Sequence, residues 1–193
     1  MGLPGLSAHA SSYARFGKPL LDRALGLVLA LLTVPVLVVL LLVTWASFGW
    51  PPLQRLPRVG RNRKTFNLLR VNTHRANGTD LRGRRLRLSR WLQSSSLDEL
   101  PQLWNVVFGQ MSLVGPRPLH PAQATGLDVA AAHRHRTRPG VTGPWQVAAR
   151  GDGRSLTDDF TIDLSYLDNL SLKTDLAILA RTLPTLVRDR EQV

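Results

Sequence analysis

Residues 24–48, ALGLVLALLTVPVLVVLLLVTWASF, are 25 consecutive positions without a charge. Roughly 20 apolar residues suffice to cross the hydrocarbon core of a bilayer, so this run is long enough to enter a membrane. A secretory signal peptide is the competing reading. The run starts late, is too long for the apolar region of such a signal, and lacks a convincing small-residue cleavage site. Pro35 divides the run. It has no amide to give the Leu31 carbonyl and its ring crowds that turn, so a kink or break is expected there. Thr33 could satisfy a freed carbonyl with its hydroxyl. Each arm would then be about 11–13 residues, too short to span alone at 1.5 Å per residue.

The flanks of the run bear on topology. Arg15, Lys18 and Arg23 precede it, and Arg55, Arg58, Arg61, Arg63 and Lys64 follow it. Basic residues stay on the cytoplasmic side, so both ends favour the inside. A re-entrant hairpin satisfies both ends, whereas a straight span puts one basic flank outside. The residues alone leave the two nearly tied.

The formal charge of the 193-residue chain is +12, from 25 Lys/Arg against 13 Asp/Glu. Twelve of the basic residues, with the single acid Asp80, lie between Arg55 and Arg90, and acids and bases nearly balance from Leu97 onward. A basic block directly after a long apolar run reads first as a contact with anionic membrane lipid, and second as a nucleic-acid patch. The absence of Cys excludes disulfides, thiol catalysis and Cys-ligated metals.

The remainder reads as mainly α with short β or extended pieces. Residues 49–65, with three Pro and two Gly, suggest a linker or turn-rich surface. Residues 66–71 suit a short strand or a helical turn, and 74–83 a polar loop. Helices are expected over 84–93, over 100–108 with Leu103, Trp104 and Val107 on one face, and over 122–136. Gly109 should end the second of these. Residues 116–121 should be extended, 139–144 (PGVTGP) a turn, and 162–188 helical at its start and end, with Pro184 beginning or bending a last helix. That tail is amphipathic and suits either a membrane surface or packing on the domain.

Three constellations could carry chemistry. In Ser96-Leu-Asp-Glu-Leu-Pro101, a capping box with Ser96 as cap is the structural alternative. Pro101 disfavours it, and a helix beginning at Asp98 or Glu99 would place Pro101 harmlessly in the first turn. The carboxylates would then sit at a helix N-terminus, whose dipole keeps them ionised and favours bound phosphate. An ionised carboxylate can attack phosphorus, and its neighbour can hold a divalent cation. In Val114-Gly-Pro-Arg-Pro118, two prolines fix the backbone around Arg117, and a pre-positioned guanidinium suits a diphosphate. The third runs from Arg136 to Arg150, with Arg138, Gly140, Gly143, Trp145 and Gln146. Trp145 fits the core better than a nucleobase stack. Asp163-x-x-Tyr166 and Asp175 have helical spacing consistent with a surface. The five histidines show no metal-like arrangement, and His133-x-His135 reads as surface.

Taken in order, SLDELPQLWNVVFGQMSLVGPRP (96–118), RPGVTGPWQVAAR (138–150) and DLSY (163–166) resemble the bacterial sugar transferases. These are the monotopic phosphoglycosyl transferases that start glycan assembly on polyprenol phosphate. The resemblance covers roughly residues 18–188 and is densest over the first motif. It implies transfer of a sugar-1-phosphate from a nucleoside diphosphate sugar, usually a UDP-sugar, to undecaprenyl phosphate. Asp98 would be the nucleophile forming a phosphosugar-enzyme intermediate, with release of UMP, and Glu99 would help to hold Mg²⁺. Arg70, Arg117, Arg138, Arg150 and Gln146 would bind substrate, and Asp163 would handle the acceptor.

The same resemblance implies a Pro-broken re-entrant helix and tips the topology towards the hairpin. The expected architecture is a monotopic membrane protein: residues 1–17 a tail, 18–50 the re-entrant helix, and 51–193 a small cytoplasmic catalytic domain with amphipathic surface helices. It would sit on the cytoplasmic face of the bacterial inner membrane, without a nucleic-acid partner and with a homodimer left open. Departures from the family pattern lie upstream. Lys18-Pro19 replaces a Lys-Arg pair, Val34-Pro35 a Ser-Pro, and Gln93 an Arg before the catalytic motif. They motivate a second reading, a catalytically impaired relative that scaffolds glycan assembly.

Overall fold

The computed structural model describes residues 12–74, 83–125, 133–149 and 156–188. The apolar run lies in one helix, α1 (Lys18–Phe48), entered through a π-turn over Tyr13–Gly17. At 1.5 Å per residue it is about 46 Å long. The helix is continuous through Pro35, so the expected break is not a break in the helix. A proline removes only one bond of the ladder. Thr33 donates its hydroxyl to the carbonyls of Leu29 (2.8 Å) and Ala30 (3.1 Å), the two residues just before Leu31, whose carbonyl Pro35 leaves without its amide partner.

Burial along α1 comes in two stretches. Lys18, Asp22, Gly26 and Ala30 are buried, and so are Leu40, Thr44 and Phe48, while none of residues 31–39 is. Between them lie exposed apolar side chains such as Leu32 (70 %) and Val39 (58 %). Such a belt is unfavourable in water and suits hydrocarbon.

The segment read as a linker contains a strand. β1 (Leu53–Val59) pairs antiparallel with β2 (Thr65–Val71), from Leu53↔Val71 to Val59↔Thr65. Pro57 is tolerated because a two-stranded ribbon leaves each strand one free edge. Asn62 and Arg63, both at positive φ, turn the hairpin.

The chain continues through α2 (Arg84–Ser94), a 3₁₀ turn at Leu97–Glu99, α3 (Gln102–Val107) and β3 (Ser112–Val114). Next come α4 (Pro121–Thr125) and a 3₁₀ turn at His133–Arg136, where one helix over 122–136 was expected; residues 126–132 lie outside the described residues. β4 (Gly140–Thr142) occupies the stretch expected to be only a turn, and pairs parallel with β3. α5 (Pro144–Ala149), α6 (Leu156–Asp168) and α7 (Leu172–Arg188) complete the fold, and α7 runs through Pro184.

Three apolar clusters hold these elements. Ala30 of α1 packs with Leu68 of β2, Leu103 and Val106 of α3, Met111 and Leu113. Leu40 and Phe48 pack with Leu92 of α2, bordered by Leu97 and Leu100. Val114, Tyr166 and Ile178 join β3 to α6 and α7. Both arms of α1 therefore touch the same polar body, the first through α3 and the second through α2.

A buried polar network ties the foot of α1 to the C-terminal helices. Asp175 accepts from Lys18 Nζ (2.7 Å), the Tyr13 hydroxyl (2.6 Å) and the Tyr166 hydroxyl (2.6 Å). Asp22 accepts from Ser112 Oγ (2.6 Å) and the Leu113 amide (3.3 Å), with Lys18 at 3.5 Å. Asp175, expected at the surface, is buried because its carboxylate satisfies the buried Lys18.

Candidate active site

Asp98 is fixed by a sharp reversal after α2. Ser96 adopts a left-handed conformation (φ 54°) and the chain enters the 3₁₀ turn at Leu97, with α3 starting only at Gln102. The dyad thus precedes the α-helix and does not open it, which weakens the helix-dipole argument for keeping it ionised. Burial acts the other way. Asp98 is fully buried, and desolvation pushes its pKa above the ordinary carboxylate value. The Arg70 charge and hydrogen bond, then the backbone amide of Asp98 itself, and more weakly His74, pull it back down without cancelling the shift.

Arg70 comes from the end of β2. Its Nε donates to Asp98 Oδ2 at 2.6 Å, and a terminal nitrogen contacts the same oxygen. That nitrogen also lies 3.9 Å from Glu99 Oε1. Asp98 Oδ1 is buried with no hydrogen-bond partner. One carboxylate oxygen is clamped by a cation; the other is left over.

Two more guanidiniums share this field. Arg58 of β1 has its pKa lowered by burial first, then by the charges of Arg70 and Arg117. Arg58 is not among the site residues read from the sequence. Its signal was the strand period: in the hairpin register, Arg58, Leu56 and Gln54 share a face with Phe66, Leu68 and Arg70. Reading 49–65 as a linker concealed it.

Arg117 is positioned by two motifs that interleave. The Gly115 amide donates to the Thr142 carbonyl (2.9 Å) and the Gly140 amide to the Pro116 carbonyl (3.0 Å). A Cβ at Gly115 or Gly140 would overlap the facing backbone, so both must be glycine. Arg134 then spans the loop from below, donating to the Arg117 carbonyl (2.8 Å) and to Asp163 Oδ2 (2.6 Å). The same Asp163 oxygen accepts the Arg117 amide at 3.4 Å. The Arg117 guanidinium stacks 4.9 Å from the Trp145 ring centre, a cation–π contact.

Asp163 itself is fully buried under this loop, which makes it a support for Arg117. Gln146 sits beside Trp145 on α5, with its Oε1 buried and unpartnered. Arg138 lies elsewhere: its Nε donates to the Gly109 carbonyl at 2.7 Å, and its charged neighbours are Arg61, Arg23 and Asp22. Arg150 falls outside the described residues. Gln93, at the position where an Arg was expected, donates to Thr73 Oγ1 and Ser89 Oγ at 3.1 Å each. His135 is buried rather than at the surface, its ring packed under the β1–β2 turn at Gly60.

The site thus joins a fully buried carboxylate with one open oxygen, a second carboxylate beside it, Arg70 in contact with both, and Arg58 within electrostatic reach of Arg70 and Arg117. The family model for the bacterial sugar transferases matches residues 13–189, and the chain belongs to that family. It is 32 % identical to a UDP-galactose-lipid carrier transferase of Erwinia amylovora, over 95 % of this chain and 42 % of the relative. It is 35 % identical to the UDP-glucose:undecaprenyl-phosphate glucose-1-phosphate transferase of Caulobacter vibrioides, over 88 % of this chain and 69 % of that protein. Identity to the sugar transferase EpsL of Bacillus subtilis is 34 %, over 86 % and 84 % of the two chains. The chain thus spans about two-fifths of the Erwinia relative but most of the Bacillus one.

Proposed function

We propose that the chain transfers a sugar-1-phosphate from a UDP-sugar to a polyprenyl phosphate through a covalent intermediate on Asp98, as a first step in assembling a bacterial exopolysaccharide or related glycan. The observation that carries this reading is the asymmetry of the Asp98 carboxylate. Arg70 holds Oδ2, and Oδ1 has no competing hydrogen bond. Oδ1 attacks the sugar-bearing phosphorus, the P–O bond to UMP breaks, and an aspartyl-phosphosugar forms. A phosphate oxygen of the polyprenyl acceptor then attacks the same phosphorus, and the acyl–phosphate bond breaks to restore the carboxylate. The products are UMP and a polyprenyl diphosphosugar.

Each half-reaction brings an anion to an anionic site, so positive charge is required. Arg58, Arg70 and Arg117 supply it, and the stack on Trp145 with the Arg134–Asp163 brace orders Arg117 before substrate arrives. Mg²⁺ fits the donor set: it needs only one or two carboxylates when substrate phosphates complete its shell. Glu99 would hold it, and the ion would offset phosphate charge when bound. Among the described residues no three acids or histidines form a metal cage, in keeping with an ion shared with substrate.

The topology is proposed as re-entrant. Support comes from both arms of α1 packing on one basic body while none of residues 31–39 around Pro35 is buried. A helix bent but unbroken at Pro35, dipping into the cytoplasmic leaflet and returning, matches that pattern and the basic residues on both flanks. Gln93 favours the scaffold reading as the alternative. One assay separates the two: purified protein with a panel of UDP-sugars, Mg²⁺ and undecaprenyl phosphate. The enzyme reading expects UMP with at least one donor; no UMP across the panel favours the scaffold.

A further inference from the structure

Three arginines meet at the foot of α1, away from Asp98. Arg23 is the last charge before the apolar run. Its guanidinium lies against Gly109, where a Cβ would have to push it aside. Gly109 has φ 71°, a second reason for glycine. Arg138 approaches Gly109 from the carbonyl side, with Nε at 2.7 Å from the oxygen. One residue is thus flanked by two guanidiniums, and Arg61 in the β1–β2 turn adds a third charge. Burial, then Arg61, then Arg23 lower the pKa of Arg138.

Neutralisation within the chain is poor. Among the described residues Asp22 is the one acid acting on Arg138, and its oxygens are already committed to Ser112, the Leu113 amide and Lys18. Among the described residues none of the three arginines is in a salt bridge. Three like charges held in one place disfavour one another, and an anion between them removes the penalty. The site is separate from the dyad, because α3 lies between them: Asp98 precedes its start and Gly109 follows its end.

We infer that Arg23, Arg61 and Arg138 form a second anion site, which takes the phosphate of a membrane-lipid headgroup and fixes the foot of α1 at the bilayer surface. The surroundings select a lipid over a soluble phosphate. Leu20 and Leu27, one turn either side of Arg23, are 71 % and 42 % exposed, and Phe108, next to Gly109, is 65 % exposed. Cations ringed by exposed apolar side chains match the boundary between headgroups and hydrocarbon. The inference rests on the reading of α1 as embedded in a membrane. It assigns Arg138 to the lipid, where the sequence pattern assigned it to substrate.

The test uses the full chain in a phosphate-free maltoside detergent, with thermal unfolding followed as dioleoyl-phosphatidylglycerol, dioleoylglycerol, inorganic phosphate or UDP is titrated in. Phosphatidylglycerol should raise the midpoint saturably, and dioleoylglycerol should not. Arg23→Gln and Arg61→Gln should each raise the half-effect concentration about tenfold, the loss expected for one charge-assisted contact. Both residues are exposed, so either variant alone carries the test if the other fails to fold. UMP release by the two variants in detergent should equal that of the wild type. An unchanged phosphatidylglycerol response in both variants overturns the inference. So does an arginine-dependent shift with inorganic phosphate or UDP at the same concentrations, which would assign the site to a soluble anion. A wild type that releases no UMP but keeps the arginine-dependent lipid response would sink the proposed function and leave this site standing.

Discussion

Arg70 Nε lies 2.6 Å from Asp98 Oδ2, and Oδ1 of the same carboxylate, fully buried, has no hydrogen-bond partner. An unsatisfied buried oxygen is unfavourable for folding. Its persistence beside a clamped partner oxygen is expected where the group must react rather than stabilise.

Neutralising Asp98 should therefore separate stability from activity. Burial outweighs the Arg70 contribution, so the charged form is disfavoured in the folded protein. A raised carboxyl pKa means the folded state holds the proton more tightly than the unfolded chain. Stability from this group is present at low pH and is lost as pH rises through the folded pKa. At pH 8, Asp98→Asn should unfold at or above the wild-type temperature, Arg70 being partly exposed and able to find water. A fall of several degrees in the midpoint would contradict this.

The same shift fixes the acid limb of the rate. The nucleophile must be ionised, so UMP release should fall as pH drops through a pKa above the value of about 3.9 for a free aspartate. The pH profile of kcat/KM for the donor checks it. A limb at or below pH 4 would show that Arg70, not burial, dominates.

Arg134 and Asp163 should act on catalysis through Arg117. Their side chains are 2 % and 0 % exposed and lie 2.6 Å apart. Breaking a buried pair by removing one partner costs about 3–5 kcal/mol. Arg134→Met and Asp163→Asn should each destabilise the fold on that scale. In the fraction that stays folded, KM for the UDP-sugar should rise, because the Arg117 backbone loses its brace. The double variant should recover part of the stability but not the KM.

Topology can be read with single cysteines, since the natural chain has none. His9→Cys and Asn77→Cys, on either side of α1, should both be shielded from an external thiol reagent in intact cells. Labelling at position 9 alone would establish a straight span.

Much of this was legible in the sequence, for identifiable reasons. Charge-free length exposed α1, and residues 96–118 located the dyad, because apolar runs and dense local motifs need no tertiary context. The strands β1 and β4 were missed because proline and glycine dominate their segments. Pro57 is accommodated on a free edge, and Gly140 is required by backbone contact with Gly115, neither of which has a local signature. The roles of Arg134 and Asp175 were hidden for a third reason. Each depends on a partner far away in the chain: Asp163 and Lys18 respectively. A charge in a sequence does not declare whether it will be solvated or paired.

The central claim, Asp98 as the nucleophile, is tested most directly by trapping the intermediate. The wild type is incubated with a labelled UDP-sugar and Mg²⁺ without acceptor, quenched in acid, and digested for peptide mass spectrometry. A phosphosugar on the peptide containing Asp98, formed with one UMP per modified chain and absent in Asp98→Asn, is the predicted result. UMP release by Asp98→Asn at the wild-type rate, or a label on any other residue, would contradict it.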